Sequence, residues 1–117
     1  MRDSVIQRKS KAFALRIIKL YKYLNEQKHE HILSRQLLRC GTSIGANAKE
    51  SMYAQSKADF TAKLFIAQKE CAETEYWLEL LYGSEYINKD EFDSIYGDCR
   101  ELMNMIVAST KTLQEKQ

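Results

Sequence analysis

The chain contains no proline and only four glycines among its 117 residues. With no helix breaker and little turn chemistry, an all-α fold is the economical reading. No run of about 18 uninterrupted apolar residues occurs, which argues against a membrane span. The N-terminal stretch MRDSVIQRKSKAF lacks the apolar core of a signal peptide. The cysteines are few, odd in number and far apart: Cys40, Cys71 and Cys99. That pattern suits a reducing cytoplasm and small core residues better than a disulfide framework or a zinc site. Low-complexity segments, internal repeats and linkers are also missing. Length and composition, 44% hydrophobic and 29% charged, fit one soluble globular domain spanning residues 1–117.

Charge is abundant and unevenly placed. Through Arg39 there are ten Lys/Arg against three acids; beyond it there are eight against thirteen. A basic front and an acidic back suggest an anionic partner for one end, or complementarity between subunits.

Apolar periodicity predicts four helices. From about Ser4 to Glu26, residues Ile6, Phe13, Ile17, Leu20 and Leu24, with Ser10 between them, line one face. At about 100° per residue, Arg8, Lys11, Lys19 and Lys22 take the outward side, and Arg16 is placed with them. Leu15 and Ile18 sit on or beside this cationic face, where a monomer has little use for them. Residues 25–31 read as a connection. Leu33, Leu37, Cys40 or Gly41, Ile44, Ala48 and Met52 then resume helical spacing. Ser56 with Asp59 forms a capping-box pattern that starts a third helix, striped by Phe60, Leu64, Ala67, Cys71, Thr74, Leu78 and Leu81. The chain turns around Gly83 to Ile87. Asn88 with Glu91 caps a fourth helix carrying Phe92, Ile95, Cys99, Leu102, Ile106 and Leu113. Short connections force neighbours antiparallel, giving an up-down-up-down antiparallel four-helix bundle.

The stretch RCGTSIGANAKES, residues 39–51, looks at first like a phosphate loop. It lacks the GK pair of a P-loop and the GxGxxG of a dinucleotide fold, and no strand precedes it. Inside a helix, Gly41, Ser43 and Gly45 instead make a side-chain-poor surface for close helix packing, with Thr42 and Ser43 able to bond back one turn. The third helix is apolar well beyond its core stripe, at Phe65, Ala72 and Tyr76 on one flank and Ile66, Trp77 and Leu80 on another. A helix apolar most of the way round is buried on several sides, so these residues, with Leu15 and Ile18, are the expected subunit interface.

At QLLRCGTSIGANAKES and DFTAKLFIAQKECAETEYWLELL the chain resembles the four-helix-bundle proteins encoded in intervening sequences of bacterial 23S ribosomal RNA genes. Those are similar in turn to the accessory variability proteins of diversity-generating retroelements. The resemblance runs from about Ile6 to Leu113. It departs at Ala48, where members often carry a bulky apolar residue, and at Ser51, where they carry glycine. It implies a ring-shaped homopentamer, and for the accessory members a basic surface that binds nucleic acid and a reverse transcriptase. It brings no catalytic residues.

Other chemistry is weakly supported. His29-x-His31 has no further ligands to complete a tetrahedral site. Glu50, Glu70, Glu73, Glu75 and Glu79 lack the Glu-x-x-His pairs of bundle metal centres. They read better as carboxylates solvated or paired with Lys/Arg. No catalytic residue, cofactor or metal is expected. The candidate nucleic-acid surface is Arg8, Lys11, Arg16, Lys19 and Lys22, extended by Arg35 and Arg39. The plain alternative is a solvated face, or an interaction scaffold that never meets nucleic acid.

Overall fold

In a computed structural model the backbone is described for residues 2–115 and the side chains for residues 5–112. Four helices follow one another: α1 Arg2–Glu26, α2 Leu33–Ser51, α3 Lys57–Gly83 and α4 Lys89–Glu115. No strand occurs among the described residues. Connections of five or six residues join them, so neighbours run antiparallel. Around the bundle α1 touches α2 and α4, and α3 touches α2 and α4; the diagonal pairs do not meet. The molecule measures 47 × 22 × 20 Å, as expected when helices of about 1.5 Å rise per residue lie side by side.

The expected stripes form the core. Ile6, Phe13, Ile17 and Leu24 of α1 meet Leu37, Ile44 and Ala48 of α2, and Leu64, Ala67, Cys71, Leu78 and Leu81 of α3 close over Ile95, Cys99, Leu102 and Ile106 of α4. Leu20, Leu33, Phe60 and Phe92 are half-buried at its edge. Met52 is not part of the stripe: it caps the C-terminus of α2 and is exposed. Leu113 lies outside the residues whose side chains are described.

The helix starts follow their predicted chemistry, with one addition. Ser56 Oγ accepts from the Asp59 N–H at 3.1 Å, and the Asp59 carboxylate accepts from the Gln55 N–H. Asn88 and Glu91 make the full reciprocal box, at 2.8 and 3.1 Å. For α2 the cap is Glu30. Its carboxylate accepts from the backbone N–H groups of Ile32, Leu33 and Ser34, while Ser34 Oγ donates to the Glu30 carbonyl. Burial pushes the Glu30 carboxyl up, but the Ser34, Leu33 and Ile32 N–H bonds and the Ser34 hydroxyl outweigh it, holding the carboxyl below its ordinary range.

The chain turns after α3 where expected, but without a left-handed glycine. Gly83 is the last residue of α3, and the left-handed residue is Glu85, at φ 69°. Its neighbour Tyr86 donates back to the Leu81 carbonyl at 2.9 Å, closing the helix end. His29 plays the same part after α1, at φ 54°. The end of α2 is set by its unusual residues. Buried Ser51 donates to the Ala48 carbonyl at 2.6 Å, and the Gln7 amide of α1 reaches the same carbonyl.

Candidate nucleic-acid interface

The residues 39–51 form the interior of α2, and their glycines meet α1 closely. A Cβ on Gly41 would lie 2.8, 2.9 and 3.1 Å from three side-chain carbons of Ile17. On Gly45 it would stand 3.4 Å from the Ser10 carbonyl oxygen and hydroxyl, which is ordinary contact. Thr42 Oγ1 donates to the Leu38 carbonyl at 2.7 Å, one turn back. Ser43 Oγ instead accepts from the Asn47 amide at 3.0 Å.

Close approach at the glycines brings two basic surfaces together. Arg8, Lys11, Lys19 and Lys22 are exposed on α1, and Arg35 is exposed on α2. None of these five makes an ion pair with another described residue. Arg16 differs. One position before core Ile17, it leaves α1 on the flank that faces α4. Its guanidinium donates to Asp98 at 2.6 Å and to Ser94 Oγ at 3.1 Å. Arg39, one position before core Cys40, turns toward α3 in the same way. It pairs with Glu73 and lies 3.8 Å from Glu70. Both arginines are exposed but ion-paired, unlike the other five. Lys49 adds a further exposed cation. It lies four residues beyond Gly45, on the α2 face that adjoins Arg8 and Lys11, and lines one groove with them.

The remaining polar groups are mostly spoken for. Lys63 pairs with Glu50 at 3.1 Å, and Lys9 of α1 pairs with Glu101 of α4. Arg100 pairs with buried Glu75 at 3.3 Å, and the Tyr96 hydroxyl donates to Glu79 at 2.8 Å. Burial, then the Glu79 hydrogen bond and the nearby carboxylates, push the Tyr96 phenol up to about 12. Among the described residues no group of three His, Cys, Asp or Glu is placed to hold a metal ion. All three cysteines are buried. Burial pushes the Cys40 thiol up to about 11, and hydrogen bonding with Cys71, then burial, raises the Cys99 thiol. Protonated, enclosed thiols are poor nucleophiles.

The expected interface residues of α3 divide. Phe65, Ile66 and Tyr76 are exposed. Trp77 and Leu80 are half-buried, and Trp77 Nε1 donates to Glu73 at 2.9 Å. A longer pattern runs along the same face. Ala58, Ala62, Phe65, Lys69, Ala72 and Tyr76, alternately four and three apart, are all exposed. That spacing is the one a helix uses to pack along a neighbour. On α1, Leu15 is exposed and Ile18 half-buried.

Fold and surface together define a class: an antiparallel four-helix bundle with a cationic face on α1 and exposed Phe65, Ile66 and Tyr76 on α3. Residues 2–108 match the family model described as 23S rRNA-intervening sequence protein. The chain belongs to that family. It is also similar to a solved protein of unknown function from the S23 ribosomal protein family of Bacteroides thetaiotaomicron VPI-5482. Identity is 50%, the TM-score is 0.94, and the alignment covers 95% of this chain and 99% of that one. No curated protein matches the chain. No described helix is long and apolar enough to cross a membrane.

Proposed function

We propose that this chain is a non-enzymatic, homo-oligomeric bundle of the cytoplasm that binds RNA or DNA through its basic surface and serves another macromolecule as an accessory. The observation that carries this reading is the set of exposed cations Arg8, Lys11, Lys19 and Lys22 on one helix, none paired with a described acid. Other surface cations are paired between helices, Lys9 with Glu101, Arg16 with Asp98 and Arg39 with Glu73, whereas these four stand together on one face without an acid. Cations left over on one face suit a ligand that supplies negative charge. Phosphate backbones do so by counterion release, without base specificity.

Assembly into a homo-oligomer would strengthen the same reading. The exposed α3 face lies across the bundle from α1, and the two helices do not touch. A contact between copies made through α3 would leave the cationic face of α1, with Leu15 in its middle, open to a ligand. A ring, a pentamer by the resemblance noted above, would repeat the cationic face and raise avidity.

A second reading is favoured by the α3 seam alone: a protein scaffold that never meets nucleic acid. Electrophoretic mobility shift with RNA and DNA at 50 and 200 mM salt separates the two. Retention at the lower salt and its loss at the higher support nucleic-acid binding; free migration at both supports the scaffold.

A further inference from the structure

A groove of about 800 Å³ lies between α1 and α2. Its floor is Ser10 and Ala14 of α1 with Gly45 and Ala46 of α2, residues too small to fill the space between the helices. Arg8 and Lys11 stand on one wall and Lys49 on the other, and no acidic residue lines it. All three cations are exposed and make no ion pair with another described residue. The Gln7 amide on the rim is already engaged with the Ala48 carbonyl, so it does not neutralise or shield them.

We propose that this groove is the track on which a nucleic-acid sugar-phosphate backbone lies, with Arg8, Lys11 and Lys49 as its phosphate contacts. The inference rests on the nucleic-acid reading above and adds the place and the residues. Charge complementarity selects the occupant: three cations and no acid call for a polyanion. The groove has no aromatic lining, so nothing there stacks a base, which points to backbone recognition without sequence preference. Small side chains at Gly45 and Ala46 let the backbone come down between the cationic walls. From Thr42 to Lys49 the α2 wall is about 10 Å long at 1.5 Å per residue.

The test uses the full chain and fluorescein-labelled mixed-sequence 20-mers, as single-stranded RNA and as duplex DNA, with anisotropy read from 50 to 200 mM salt. Three variants are compared with the wild type. Arg8→Gln/Lys11→Gln/Lys49→Gln removes the cations with helix formers of similar length. Ala46→Trp fills the groove and leaves every charge in place. Lys19→Gln/Lys22→Gln removes the same kind of charge from the outward face beyond the groove. Far-ultraviolet circular dichroism and light scattering confirm unchanged helicity and mass in each. The expected result is that the triple variant flattens the log affinity–log salt slope for duplex DNA by roughly 2–3 per occupied groove. Ala46→Trp should weaken binding to a similar extent, and the Lys19/Lys22 variant should change it less than either. Wild-type slopes in both groove variants, with loss in the Lys19/Lys22 variant, would overturn the track while leaving nucleic-acid binding in place. Tight groove-dependent binding of polyglutamate but not RNA would assign the groove to an acidic protein and overturn the proposal. Failure of the wild type to bind either probe at 50 mM would remove the functional reading itself.

Discussion

Gly41 and Gly45 look equivalent in sequence and differ in the structure. Gly41 faces a branched core side chain, Ile17, which is fully buried and cannot give way. Gly45 faces the Ser10 backbone across a gap that a methyl group fits. Gly41→Ala is therefore expected to destabilise the fold by about 1–3 kcal/mol through overpacking. Gly45→Ala should stay within about 1 kcal/mol of wild type, since its contact is ordinary and alanine favours the helix. Thermal denaturation of the pair checks this; equal melting temperatures would show that α1 yields at both positions. Sequence spacing identified the helical glycines but not their ranking, because that depends on which α1 side chain each one meets. The left-handed turn residue was illegible for a related reason. Glycine is the usual occupant, yet Glu85 and His29 hold those conformations while Gly83 stays helical.

At the level of elements, the periodic stripes of all four helices and two of their caps could be read directly. Ser56-x-x-Asp59 and Asn88-x-x-Glu91 announce helix starts because capping geometry repeats at a fixed spacing. The start of α2 carries no such signal. Its cap position is Ile32, which has no capping side chain, and Glu30 substitutes from two residues further out. A carboxylate there also favours the positive end of the helix. Since the native environment lowers the Glu30 pKa from an ordinary value of 4.5, its contribution is complete above that pH. It is lost as pH falls through the lower native value. Wild type should thus lose more stability than Glu30→Gln on acidification below about pH 4.5, and at neutral pH Glu30→Ala should cost about 0.5–2 kcal/mol. Denaturant melts at pH 7 and pH 3 measure both. Parallel pH profiles for wild type and Glu30→Gln would show that the three N–H bonds do not depend on the charge.

For the whole molecule, the lopsided charge of the sequence has an internal explanation in part. Basic α1 lies beside acidic α4, and basic α2 beside acidic α3, with ion pairs such as Arg16–Asp98 and Arg39–Glu73 across the seams. Each exposed pair contributes about 0–1 kcal/mol, so their main effect is on which helices sit together. Sequence alone cannot separate cations spent this way from cations left over, because the distinction is one of helix flank. Arg16 and Arg39 take flanks that meet acids of α4 and α3, while Lys11, Lys19 and Lys49 do not. The exposed α3 seam makes the corresponding prediction about assembly. Light scattering at micromolar concentration should return several times the chain mass of 13.7 kDa. Phe65→Glu/Tyr76→Glu should reduce it toward one chain with helicity retained. A wild-type monomer would contradict the interface, whereas a dimer would contradict only the ring.

The central claim is that the unpaired cations of this bundle engage phosphate. Its most direct test is the salt dependence of wild-type binding to two RNAs of unrelated sequence, followed by anisotropy between 50 and 200 mM salt. An assembly making about six phosphate contacts should lose roughly a thousandfold in affinity with duplex DNA over that range, and somewhat less with single strands. The two RNAs should give the same slope, as backbone contacts require. Absence of any anisotropy change at 50 mM salt, with protein of intact helicity and mass, would contradict the account and leave the α3 seam as the functional surface.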